Sequence, residues 1–195
     1  MKNTLLPLLI FCSAYHSNAQ TSKQEYMVVP VISQQSLYLK GGSRAIGHNG
    51  SRQVLQINLP ANTVEWYYTI TTGLHRGQFL NSNLTGQLVT LVDPKLGIAP
   101  KASVRVPDGT GVCDVFLMTN PYEVNKYVNK KPAASFLMND SRQQYASGAV
   151  QVKDFLGGSC FLVIRNPSSH LGVNVNIEVS AIVLSSPVGS STAMQ

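Results

Sequence analysis

Charge is scarce in this chain. Lys, Arg, Asp and Glu make up 12% of its 195 residues, about half of the roughly 25% usual in a globular domain. The polar surface therefore rests on Asn, Gln, Ser, Thr and Gly. Basic residues never run longer than Lys130-Lys131, which speaks against a nucleic-acid partner. Only nine acidic residues are present, and no local pattern pairs two of them, as acid–base hydrolysis of a glycosidic bond would require. Long apolar runs are missing beyond the first residues, so no later segment reads as a membrane helix. Cysteine is limited to three and tryptophan to one. Three motifs are also absent: a Gly-Lys-Ser/Thr phosphate loop, a Gly-x-Ser-x-Gly elbow, and histidines at a metal-binding spacing. These absences leave no catalytic residue to name, no metal site and no cofactor.

At the start of the chain, Lys2 precedes an apolar stretch, Leu5 to Phe11, and Ser17-Asn18-Ala19 offers small residues at the positions a signal peptidase reads. Residues 1–19 are expected to be an export signal cleaved near Ala19, leaving a periplasmic or extracellular protein. Phe11 before Cys12 argues against lipidation. The remaining chain holds 14 basic and 9 acidic side chains. This mild excess reads as a basic surface, with envelope-surface association left open.

Export would leave Cys113 and Cys160. Cys113 alternates with Val115 and Leu117, and Cys160 with Leu162 and Ile164. Both therefore sit on apolar strand faces. In an oxidising compartment they are expected to form a disulfide, which would stabilise the fold by about 4 kcal/mol. Two buried free thiols are the alternative.

What the chain has in abundance is period-two alternation. Leu55, Ile57 and Leu59 share one face; so do Val64, Trp66, Tyr68 and Ile70. Val173, Val175, Ile177, Val179, Ala181 and Val183 face one way, with Asn174, Asn176, Glu178 and Ser180 opposite. Such alternation predicts strands with one buried and one wetted face. Asp114, opposite Cys113, and Glu65, opposite Trp66, read as wetted. Residues 112–119 and 159–166 are strands, as are 26–32, 36–40 and, more weakly, 148–153. Pro30 places the first on an edge or at a bulge. Trp66 reads as a core anchor.

Two short helices interrupt the strands. Leu84, Leu88, Leu91 and Val92 recur at helical spacing before Pro94. Asn120, Pro121 and Glu123 form a cap, a first helical position and a box-like partner, with Lys130 and Lys131 in the last turn before Pro132. The fold class is mainly β: an antiparallel β-sandwich of jelly-roll or Greek-key type with one or two short helical insertions. It forms a single domain over 20–184, followed by a disordered tail over 185–195.

The loop from Gly41 to Arg52 carries glycines, Arg44, His48 and Arg52, which suit an anion nest. A flexible connection is the plainer reading. Thr72–Gly77, with His75 and Arg76, would lie near it if both loops leave the same end of the sandwich. Arg44, His48, Arg52, His75 and Arg76 are the candidate ligand-binding residues. Asn49, Asn83 and Asn139 match the glycosylation acceptor pattern. The stretch Arg165-Asn166-Pro167-Ser168-Ser169-His170-Leu171-Gly172 sets serines beside a histidine. Its composition is that of a turn, and it reads as a hairpin connection.

That turn follows Gly157-Gly158-Ser159-Cys160-Phe161-Leu162-Val163-Ile164-Arg165-Asn166 and leads into the long alternating strand. The arrangement resembles the end of Golgi-dynamics (GOLD) domains, and Cys113–Leu117 is similar to an earlier strand of that family. Pre-peptidase C-terminal domains share a similar strand grammar. The resemblance spans roughly residues 53–184 and implies a sandwich that binds proteins or lipids. The coiled coil and membrane helix of one large branch are missing, so a cargo-receptor role does not transfer. The expected function is an exported, non-catalytic binding module for a protein, lipid or glycan. A small secreted hydrolase, with residues from among Glu65, His48, His75, Asp114 and His170 converging in space, and a structural subunit of an envelope assembly are the alternatives.

Overall fold

The computed structural model describes residues 24–42, 50–98, 103–131 and 135–185. The expected signal segment, Arg44, His48, Asn49, Pro132 and the tail beyond residue 185 lie outside them. Gln24–Ser186 form one unit. Among the described residues, ten strands and two helices follow in the order β1 (Tyr26–Leu39), β2 (Arg52–Asn58), β3 (Thr63–Gly73), α1 (Leu84–Leu91), β4 (Val92–Asp93), β5 (Gly97–Ile98), β6 (Cys113–Met118), α2 (Pro121–Val128), β7 (Leu137–Tyr145), β8 (Ser147–Val152), β9 (Ser159–Arg165) and β10 (Val173–Leu184). One sheet has the order β1-β10-β3-β8, a second β2-β9-β6-β7, and β4 pairs with β5. All pairings are antiparallel. The fold is a β-sandwich.

The alternating residues build its core. Trp66, Tyr68 and Ile70 of β3 and the odd-numbered Val173 to Val183 of β10 meet Val115 and Leu117 of β6, Leu162 and Ile164 of β9, and Ile57 of β2. Trp66 is fully buried, and its indole N–H donates to the Phe155 carbonyl at 2.7 Å, so its one polar atom is satisfied. Val64 departs from the expected face. Ile182 pairs with Glu65 but Val183 with Thr63, so Val64 is an extra residue in a bulge. It packs instead with Tyr67, Leu84, Leu88 and Ile182 on the other side of the sheet.

Pro30 acts as its chemistry requires. β1 is an edge strand whose register shifts between Pro30 and Ile32 and again before Gln35. The bulges absorb the missing N–H, and the two expected strands become one. In α2 the Asn120 side chain accepts from Tyr122 N at 2.9 Å, with Pro121 at the first turn. Glu123 does not close the box. It accepts from Ser135 N at 3.0 Å and pairs with Lys126 at 3.1 Å. The helix ends at Val128, so Lys126 rather than Lys130 lies in its last turn.

The expected disulfide is not formed: Cys113 and Cys160 are both free and buried. Register gives the reason. Met118 at the end of β6 lies opposite Phe161 near the start of β9, so Cys160 belongs at the Met118 end and Cys113 at the other. That separates them by roughly 20 Å at about 3.3 Å per residue, far beyond the reach of an S–S bond. Burial pushes both thiols up to about 12, which keeps them protonated and unreactive.

The polar face of β10 is not wetted either. Asn174, Asn176, Glu178 and Ser180 are all buried, beneath the segment running from β3 through α1. Asn174 and Asn176 donate to the Gln78 carbonyl at 2.8 and 3.1 Å. Ser180 meets Thr85 at 2.7 Å. Glu178 accepts from the Ser82, Asn83 and Leu84 amides at the start of α1. Asp114 is likewise buried, forming an ion pair with Arg165 and accepting from Gln144 N at 2.9 Å. Glu65 keeps surface contacts with Gln151 and Lys153.

Asp140 in β7 is 5% exposed, and its Oδ2 is buried without a partner. Burial, then the charge of Asp154, raises its pKa against the opposing pull of Arg142. The folded state therefore holds this proton more tightly than the unfolded chain. Its contribution to stability grows as pH falls through the folded pKa and is lost as pH rises. Asp140→Asn is expected to melt higher than the parent protein near neutral pH, with the gap closing toward pH of about 4. Melting curves across that range check it; a constant gap or a lower melting point would contradict the burial argument.

Candidate functional site

The loops that join the two sheets create the site. Asn166–Gly172 connects β9 of one sheet to β10 of the other, so it is an arch across the core and not the expected hairpin. The sequence pattern is the same for both, because each strand turns an apolar face toward a single core. Asn166 organises the arch. Its Nδ2 donates to the carbonyls of Leu39, Lys40 and Leu171 at 3.2, 3.2 and 2.7 Å. Its Oδ1 accepts from Ser168 N at 2.9 Å, and its own N–H donates to Ser51 O at 2.9 Å. The Ser168 hydroxyl accepts from His170 N and Leu171 N at 3.3 and 3.0 Å, so it braces the turn. His170 lies exposed at the tip.

Beside this arch two other loops arrive, one leaving β3 at Leu74 and one entering β6 through Gly109–Val112. With Ala146 of the β7–β8 connection they form an open cavity of about 410 Å³ lined by Leu74, Val112, Ala146, Leu171 and Val173, together with Asn166 and Ser168. Thr72 ties the loops together. Its hydroxyl donates toward the carbonyls of Gly111 and Ala146 at 2.6 and 2.7 Å, while its carbonyl accepts from Thr110 N at 3.0 Å. Gly109 lets the backbone pass against the Ala146 carbonyl, where a Cβ would collide. A concave, mostly apolar volume of this size with few polar groups is what a small-ligand site needs.

The candidate ligand-binding residues fall differently. His75 and Arg76 follow Leu74 directly and are exposed, with the Arg76 guanidinium 5.5 Å from the Tyr38 ring centre. The described ends of the Gly41–Arg52 loop do leave the same end of the sandwich, since Leu39 and Gly73 pair with the adjacent Val173 and Asn174. Arg52 does not face the cavity's ligand space. Its guanidinium donates to the Tyr127 carbonyl at the end of α2 and stacks on the Tyr127 ring at 4.3 Å, so it fastens that helix to the second sheet. Arg44 and His48 lie outside the described residues. The residues that sequence reasoning passed over are Leu74, Val112 and Leu171. A leucine in a turn of serine, histidine and glycine was the available signal.

Among the described residues, no group of His, Cys, Asp and Glu side chains is arranged to hold a metal ion, and no helix is long and apolar enough to cross a membrane. Asp114 and Glu65 are engaged in the partnerships described above. Compared with protein-family models and with characterised proteins, the chain matches none.

Proposed function

We propose that the protein is an exported, non-catalytic binding module that receives an apolar group of its ligand in the cavity at the Asn166 end of the sandwich. The cavity carries the reading. Its walls are mostly apolar, and burying an aliphatic or aromatic group there gains about 25 cal/mol per Å² removed from water. The loops that shape it are held by Asn166 and Thr72, so the site is formed before any ligand arrives and loses little ordering entropy on binding. The GOLD-like strand grammar agrees with a binding role and remains part of this proposal. An apolar part of a protein or lipid fits these walls better than a glycan, which calls for unspent polar groups.

The test is a titration with N-phenylnaphthylamine, an uncharged fluorophore that brightens in apolar surroundings. The parent protein is expected to bind it saturably. Thr110→Phe places a ring at the exposed rim of the cavity and is expected to weaken binding about tenfold or more, a loss of about 1.4 kcal/mol or more, with the melting temperature unchanged. No saturable binding, or equal binding in Thr110→Phe, would refute the reading.

A further inference from the structure

The rim of the cavity has a chemistry of its own. Leu74, Val112 and Leu171 come from three separate loops and are 48%, 36% and 64% exposed. Three aliphatic side chains thus project from one end of the sandwich around an apolar opening. The loops at this end also carry Lys40, His75, Arg76 and His170. Against them, among the described residues, the exposed carboxylate is Asp108. Asp114 is buried in its pair with Arg165. The described chain ends are at the opposite end, where Tyr26 pairs with Leu184.

The rim backbone is the second observation. Thr110 N and Gly111 N donate to the carbonyl and hydroxyl of Thr72. The carbonyls of Gly111 and Ala146 accept from that hydroxyl. Leu171 N and O are held by Ser168 and Asn166, and Gly42 N donates to Ser168 O at 2.9 Å. A loop that enters hydrocarbon must satisfy its backbone groups internally, because no water is there to do so. The arch meets that requirement at Leu171, and Gly111 meets it beside Val112.

We propose that this end of the sandwich docks on an anionic bilayer, with Leu74, Val112 and Leu171 entering the acyl region, Lys40 and Arg76 facing the headgroups, and the cavity receiving one acyl chain. The proposal rests on the apolar-cavity reading and names the occupant. Charge complementarity selects the anionic surface: basic side chains close to such a membrane each add to the attraction, and the contribution fades with salt.

Co-sedimentation with two kinds of vesicle tests it, one of phosphatidylcholine alone and one of equal parts phosphatidylcholine and phosphatidylglycerol. The protein is expected to pellet with the mixed vesicles at low salt and to release as salt rises. Leu171→Asp sets a carboxylate at the exposed tip and is expected to lower the partition coefficient about tenfold or more. Arg76→Glu is expected to lower it by about tenfold at low salt and to matter less at high salt. Both side chains are exposed, so the variants are expected to fold. Equal binding to both vesicle types, or unchanged binding of Leu171→Asp, overturns the proposal. Saturable N-phenylnaphthylamine binding with no vesicle binding also overturns it and assigns the cavity to a soluble apolar ligand or a protein side chain. Loss of both signals overturns the cavity reading as well.

Discussion

Replacing Glu178 by Ala is expected to destabilise the protein by about 3–5 kcal/mol, the sum over several buried donors left without an acceptor at about 1–3 kcal/mol each. The carboxylate is 8% exposed and accepts from four donors: Ser82 N at 2.9 Å, Ser82 Oγ at 2.7 Å, Asn83 N at 3.1 Å and Leu84 N at 2.7 Å. Three of these are backbone amides at the entry to α1. That helix has no acidic residue in its first turn, and its own N-cap, Asn83, sits at φ 49° with no side-chain cap. Glu178 therefore provides from the sheet what a capping residue usually provides locally. Without it, several buried donors lose their acceptor, each at about 1–3 kcal/mol. Glu178→Gln is expected to recover only part of the loss, because its amide N–H₂ would face another donor. Denaturant titration measures the total. Hydrogen exchange locates it: amides over residues 82–91 should lose protection well beyond those of β6 and β9. A change under about 1 kcal/mol, or protection lost evenly, would show that the carboxylate does not anchor the helix.

That carboxylate also marks where reading the sequence succeeds and where it stops. The inward faces of β3, β6, β9 and β10 were legible because a sandwich core imposes period two on every strand that lines it. Val175, Ile177 and Val179 could hardly face elsewhere. The opposite face of β10 follows the same period, so Asn174, Asn176 and Glu178 looked wetted, whereas the segment from Leu74 to Leu91 covers them. Asn is a poor strand former, and two of them in a strict strand were the overlooked sign of a local bonding task. β7 escaped notice for a related reason. Its sequence LMNDSRQQY does not alternate, and the strand is held by particular contacts. Tyr68 donates to Asp140 O at 2.5 Å, Ser141 links Leu117 N and Leu137 O, and Gln144 takes φ 52°. The cysteines show the same limit. Alternation assigns a face, but only register assigns a position along the strand, and register is a long-range property. The cavity is further still from local pattern, since it arises where loops distant in sequence meet. Loop cations drew attention to His75 and Arg76, which follow Leu74 of the lining in sequence, while the aliphatic residues that form the cavity carried no local signature.

Asn166→Ala is the change expected to couple fold and site most directly. Asn166 is 4% exposed. Its amide holds the end of β1 through Leu39 and Lys40, the turn before β10 through Leu171, and the arch itself through Ser168. Removing it takes that donor from three carbonyls, one of them buried, and the acceptor from one N–H, at a cost of about 2–4 kcal/mol after partial relaxation. Because the same contacts position Leu171 at the cavity, N-phenylnaphthylamine should also bind more weakly at temperatures where the variant is still folded. Asn166→Asp separates packing from hydrogen bonding. The two side chains have the same shape, but the carboxylate directs an acceptor toward three carbonyl oxygens. At neutral pH this variant is expected to be less stable than Asn166→Ala. The cost falls on the charged form, so the introduced carboxyl has its folded-state pKa raised. The native state then binds the proton more tightly than the unfolded chain, and stability is recovered as pH falls through the folded value. Melting temperatures of both variants at neutral and mildly acidic pH decide the matter. An Asp variant as stable as the parent protein at neutral pH would mean that the amide does not donate to these carbonyls. A deficit shared equally by both variants at every pH would reduce Asn166 to a packing residue, and the arch would then have to be held by Pro167 and the Ser168 turn alone.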